Sequence, residues 1–122
     1  MNPTVLVVDD DCGVLRLAVL VLSAHGYEVL TATRGPEALR IARRRAPKVI
    51  LLDMVLPEVD GLGVLRALAA DPAMRSIPVV AMSGFFEPGQ LPASFGGQCV
   101  GFIEKPITPD TFLEEIRLAL AS

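Results

Sequence analysis

Three short apolar runs in this 122-residue chain end in charge. Val5-Leu6-Val7-Val8 leads into Asp9-Asp10, Val49-Ile50-Leu51-Leu52 into Asp53, and Val100-Gly101-Phe102-Ile103, through Glu104, into Lys105. Charges at the ends of buried strands are costly to desolvate unless they meet at one edge of a sheet, the edge where open α/β sheets bind ligands. Three carboxylates gathered there attract a hard divalent cation. Mg²⁺ suits them because it takes a few carboxylates and retains several waters. Without a cation, like charges at this range raise carboxylate pKa values. A lysine beside them points to a phosphate-sized anion at the same spot. Neighbouring side chains on a strand diverge, so Asp9 and Asp10 both face the edge only where the backbone leaves the pleat. One then binds a cation directly and the other through water. As helix caps alone, with Asp10 or Asp11 starting the first helix, the acids would leave Asp53 and Lys105 unexplained.

The elements that position these residues alternate. Thr4–Val8, Tyr27–Ala32, Lys48–Leu52, Ile77–Met82 and Val100–Ile103 read as strands. Gly13–His25, Pro36 to about Ala46, Leu62–Ala70 and Pro109–Ala121 read as helices, with Gly26 ending the first and Thr108 capping the last. Strands separated by helices predict a parallel sheet covered on both faces, and right-handed crossovers leave few topologies. The segment Phe85 to Gln98, with Pro88, Gly89, Pro92, Gly96 and Gly97, breaks the pattern. An interior proline costs a helix about 3 kcal/mol, so at most one or two turns around Gln90–Phe95 are expected, in the most mobile part of the domain.

The length fits one domain, 1–122, with an aliphatic core: 52% of residues are hydrophobic and 5% aromatic. A net charge of -3 makes nucleic acid an unobvious partner. Arg40, Arg43, Arg44 and Arg45 on one predicted helix read as a solvated face. Cys12 and Cys99 fit no metal-ligand spacing, and the absence of a signal peptide or of an apolar run of membrane-spanning length predicts a cytoplasmic setting. On the first helix Val14, Leu17, Ala18, Val21 and Leu22 form the expected core stripe; Leu15, Val19 and Leu20 are left to face outward as a docking patch.

The sequence resembles the response-regulator receiver domain, the phospho-acceptor module of two-component signalling. The resemblance rests on Val7-Val8-Asp9-Asp10, Leu51-Leu52-Asp53-Met54-Val55-Leu56-Pro57, Asp60-Gly61, Ser83 and Glu104-Lys105-Pro106, in that order, within a match from about Thr4 to Ala121. It implies a doubly wound five-stranded parallel sheet of flavodoxin-like order 2-1-3-4-5, with helices on both faces and a short or irregular fourth helix. It implies Asp53 as phospho-acceptor, with Asp9, Asp10, Asp53 and the Val55 backbone carbonyl around Mg²⁺. Ser83 and Lys105 would hold phosphoryl oxygens, with Ser83 and Phe102 as switch residues. The donor would be a histidine kinase or a histidine phosphotransfer protein, docking near Leu15 and Val19. The readout, a downstream output domain or protein, or a homodimer contact, would use the face formed by the irregular segment, strand five and the final helix. Such a domain promotes only its own phosphorylation and dephosphorylation and is otherwise no enzyme.

Competing readings fit less well. A haloacid-dehalogenase-type phosphatase needs an acid where Val55 stands, and a flavodoxin-like carrier would repel its FMN phosphate with Asp9-Asp10-Asp11. A non-phosphorylated pseudo-receiver, a pure interaction module, would normally lack a site residue, and none is missing. Val55 and Phe85, two residues after Asp53 and Ser83, are apolar and position no attacking water, which predicts slow self-dephosphorylation; Gly84 predicts a loose loop after Ser83. His25, the single histidine, is expected as a capping or partly buried residue rather than a phosphate carrier.

Overall fold

The computed structural model describes residues 2–56, 60–84 and 98–121. The expectations for the Pro57 loop and for the irregular segment up to residue 97, Phe85 included, lie outside the described residues. The order is β1 (Thr4–Val8), α1 (Cys12–Ala24), β2 (Glu28–Ala32), α2 (Gly35–Arg45), β3 (Val49–Asp53), α3 (Gly61–Ala70), β4 (Val79–Ser83), β5 (Cys99–Glu104) and α4 (Pro109–Leu120). All pairings are parallel, and the strand order is β2-β1-β3-β4-β5.

Strand pleating sorts the core into two layers. Leu6, Val8, Ile50, Leu52, Val79 and Ala81 face α2 and α3, where they meet Ala38, Ala42, Val64, Leu65 and Leu68. Val5, Val7, Val49, Leu51, Val80, Met82 and Ile103 face α1 and α4, where they meet Ala18, Leu22, Phe112, Ile116 and Ala119. Burial on both sides explains why β1, β3 and β4 read as unbroken apolar runs.

Local chemistry sets the ends. Asp11, not Asp10, caps α1, its Oδ1 accepting from the Gly13 amide at 2.8 Å. Thr108 caps α4, with Pro109 in the first turn. Asp60 caps α3 by accepting from the Gly63 amide at 3.0 Å. Gly26 closes the α1–β2 turn at φ 89°, and Ala46 ends α2 in the left-handed region at φ 44°.

Two expectations need correction. Ser83 is the last residue of β4 rather than the residue after it, because pairing with β5 continues to Ser83 opposite Glu104. Leu15 is half-buried against the α1/α4 core rather than outward-facing, since the apolar stripe of α1 is wider than expected; Val19 and Leu20 are exposed, at 38% and 66%. Phe102 packs against the α2/α3 core, and the next residue along β5, Ile103, turns toward α4.

Candidate functional site

β1, β3, β4 and β5 end at one edge of the sheet, and that edge gathers the charged residues. One carboxylate oxygen each from Asp9, Asp10 and Asp53 lies within 4.8 Å of the others. Asp9 is fully buried, Asp53 is 3% exposed, and Asp10 is open to solvent. The Asp11 amide donates to Asp9 Oδ1 at 2.9 Å, and the Val55 amide donates to Asp53 Oδ1 at 2.9 Å. Lys105 Nζ sits between the two buried acids, 2.8 Å from Asp9 Oδ2 and 3.2 Å from Asp53 Oδ2. Its backbone amide donates to the Ser83 carbonyl at 3.2 Å, fixing it beside the end of β4, and the following peptide bond to Pro106 is cis. A cleft of about 200 Å³ is lined by Asp10, Asp53, Val55, Ser83, Gly84 and Lys105. A wider cavity of about 620 Å³, lined by His25, Tyr27, Asp110, Leu113, Glu114 and Arg117, holds none of these groups. His25 there bonds the Val21 carbonyl through Nδ1 at 2.9 Å, as a residue closing α1.

The electrostatics are unbalanced. Burial pushes the Asp53 carboxyl up to about 6; the Val55 amide opposes this, the Asp9 charge adds to it, and Lys105 offsets part of it. Burial works against the Lys105 ammonium, but its close ion pair with Asp9, and then its pairing with Asp53, raise its pKa above the usual lysine value. Two buried acids thus share one lysine, with a third acid at the rim. Asp9 Oδ2 lies against the ammonium yet has no hydrogen bond of good geometry. An acidic oxygen cluster with a poorly satisfied buried oxygen fits a hard divalent cation held by Asp9, Asp10 and Asp53.

The expected residues therefore meet, with Phe102 one layer back, paired in register with Ala81 on the face that Ser83 shares. Two supporting residues escaped sequence reasoning. Gly61 packs so tightly under the site strand that an added Cβ would lie 2.4 Å from the Met54 Cα; Asp60-Gly61 signalled a turn but not this approach. The Gln98 Nε2 donates to the carbonyls of Met74 at 2.9 Å and Ile77 at 3.1 Å, pinning the start of β5 to the α3–β4 turn. Nothing in the sequence around Gln98 announces it.

Sheet order, strand-end acids and lysine together define a receiver domain, and the response regulator receiver domain model matches residues 5–117. The chain belongs to that family, the receiver domains of two-component response regulators, which interact with histidine kinases, phosphotransfer proteins and output domains. It is 38% identical over 117 residues to the polar-differentiation response regulator DivK of Brucella ovis, covering 96% of this chain and 95% of that protein. Among solved structures it resembles the chemotaxis response regulator CheY4 of Vibrio cholerae, with TM-score 0.88 and 27% identity over 98% of this chain and 100% of that one. It also resembles part of NtrX from Brucella abortus, with TM-score 0.86 and 31% identity over 99% of this chain and 27% of that one. Among the described residues no helix is long and apolar enough to cross a membrane.

Proposed function

We propose that this single domain accepts a phosphoryl group on Asp53 from a phosphohistidine of a kinase or phosphotransfer protein, in the cytoplasm. The observation that carries the reading is the Lys105 ammonium shared between Asp9 and Asp53, at 2.8 and 3.2 Å, beside an open cleft. An Asp53 carboxylate oxygen attacks phosphorus, the donor P–N bond breaks, and its electron pair stays on the departing imidazole. Asp9, Asp10, Asp53 and the Val55 carbonyl would hold the divalent cation. When bound, Mg²⁺ neutralises charge on the transferring phosphoryl group. Lys105 pairs with one phosphoryl oxygen, and the Ser83 hydroxyl donates to another.

The mark replaces the single negative charge of the carboxylate with roughly −1.5 to −2 on the phosphoryl oxygens beyond the end of β3, and draws Ser83 and Lys105 toward them. Ser83 and Phe102 share the α2/α3 face of neighbouring strands, so movement of the serine opens space for the ring beside Ala81. The signal is a shift between two packings of β4 and β5. Val55, 46% exposed at the cleft mouth, offers no polar group to orient water, so the phosphoryl group persists.

The test is incubation with a small phosphodonor and Mg²⁺, followed by intact mass. A gain of one phosphate, absent in Asp53→Ala, is the expected result; an equal gain in that variant overturns it. A phosphoryl half-life of seconds in the purified protein would contradict slow self-dephosphorylation.

A further inference from the structure

Arg40 and Arg44 stand about one turn apart on the exposed side of α2, and among the described residues neither has an acidic partner. Their neighbours do: Arg43 reaches Asp71 Oδ2 at 3.1 Å, and Arg45 reaches Glu28 Oε1 at 2.7 Å. Like charges at i and i+4 repel one another and weaken a helix. The helix dipole compensates cations in the last turn, but Arg40 stands before it. Eight of the chain's 11 basic residues fall between Arg34 and Arg75, against five of its 14 acids. Of those acids, Glu37 accepts from the Thr33 amide, Asp53 is in the site, Asp60 caps α3 and Asp71 holds Arg43; Glu58 lies outside the described residues. Exposed Lys48 and Arg75, before β3 and β4, extend the band along the sheet edge opposite the site. On the other face α4 carries Asp110, Glu114 and Glu115 against Arg117 alone.

We infer that this band, centred on Arg40 and Arg44, docks an acidic segment of a protein partner. Carboxylates suit it because guanidinium–carboxylate pairing already operates on both sides of the two arginines, at Asp71 and Glu28. A polyanion such as duplex DNA or an anionic bilayer would also bring its field against the acids of α4 in a chain with net charge -3, whereas a short acidic segment meets the band alone. Neither Arg40 nor Arg44 lines the strand-end cleft, so docking there leaves phosphoryl uptake undisturbed. The surface locates the protein or selects its partner, and the aspartate carries the signal.

The probe is a fluorescent helical peptide of about four turns with glutamates at i, i+4 and i+8. Anisotropy titrations at about 50 and about 300 mM salt separate screened from unscreened binding. Wild type binds at low salt and weakens at high salt. Arg40→Gln/Arg44→Gln, which keeps helix propensity and leaves circular dichroism and phosphoryl uptake unchanged, binds about tenfold or more weakly. Arg117→Gln, on the opposite face, binds as wild type does. Equal binding by the double variant, an equal loss in Arg117→Gln, no binding by wild type, or tighter binding of a short DNA duplex or a phosphatidylserine vesicle than of the peptide would each overturn the inference.

Discussion

Asp53 is held against its own charge. Its carboxyl is raised from 3.8 to about 6, chiefly by burial. Between those values the folded chain keeps a proton that the unfolded chain releases, so stability falls as pH rises through this window and levels above it. In the absence of divalent cations, urea midpoints of wild type are expected to fall from pH 4.5 to 7 relative to those of Asp53→Asn. At pH 7 Asp53→Asn should be the more stable protein, by roughly 1–3 kcal/mol; a less stable variant would mean the aspartate is not strained. Mg²⁺ should stabilise wild type at pH 7 and do so far less at pH 5, where it competes with the proton. The charged residues were legible in the sequence because each ends an apolar run, and acids stranded there have few uses. The division of labour was not: that Asp9 is buried, Asp10 open and Asp11 the cap depends on where the backbone turns after Val8.

At the scale of elements, period and punctuation predicted every described strand and helix, within one or two residues at most ends. Thr108-Pro109 and Asp60-Gly61 are local signals with local causes. What escaped is tertiary. Parallel pairing carries β3, β4 and β5 to the charged or polar residue itself, which apolar patterning stops short of. The wide stripe of α1 takes in Leu15 only because α4 lies beside it. Gly61 tests such packing directly: Gly61→Ala forces a Cβ against the Met54 backbone and is expected to destabilise by about 1–3 kcal/mol in urea unfolding. Ala46 tests a local cost instead. In the left-handed region glycine is the better residue, so Ala46→Gly should stabilise the fold by about 0.5–1 kcal/mol in urea unfolding with phosphoryl uptake unchanged.

Across the whole molecule, the site edge, the exposed Val19 and Leu20, and the basic band on α2 are separate surfaces. If α1 receives the kinase, Val19→Glu should slow phosphotransfer from it by about tenfold while uptake from a small phosphodonor stays at the wild-type rate. Equal rates from the kinase would remove α1 from the docking surface. The two thiols are divided in the same spatial way. Cys12 is exposed in the first turn of α1, next to the capping Asp11, while Cys99 is half-buried at the start of β5, its pKa pushed up by burial. A maleimide should therefore react first and stoichiometrically at Cys12, and Cys12→Ser should abolish the fast phase. The unaltered chain thus has one fast-reacting attachment point for a fluorophore, two residues along the chain from Asp10 of the cleft. If the proposed phosphoryl uptake on Asp53 holds, a dye placed there would follow cation loading and acyl phosphate decay in real time, with no engineered residue and no radioactive phosphate.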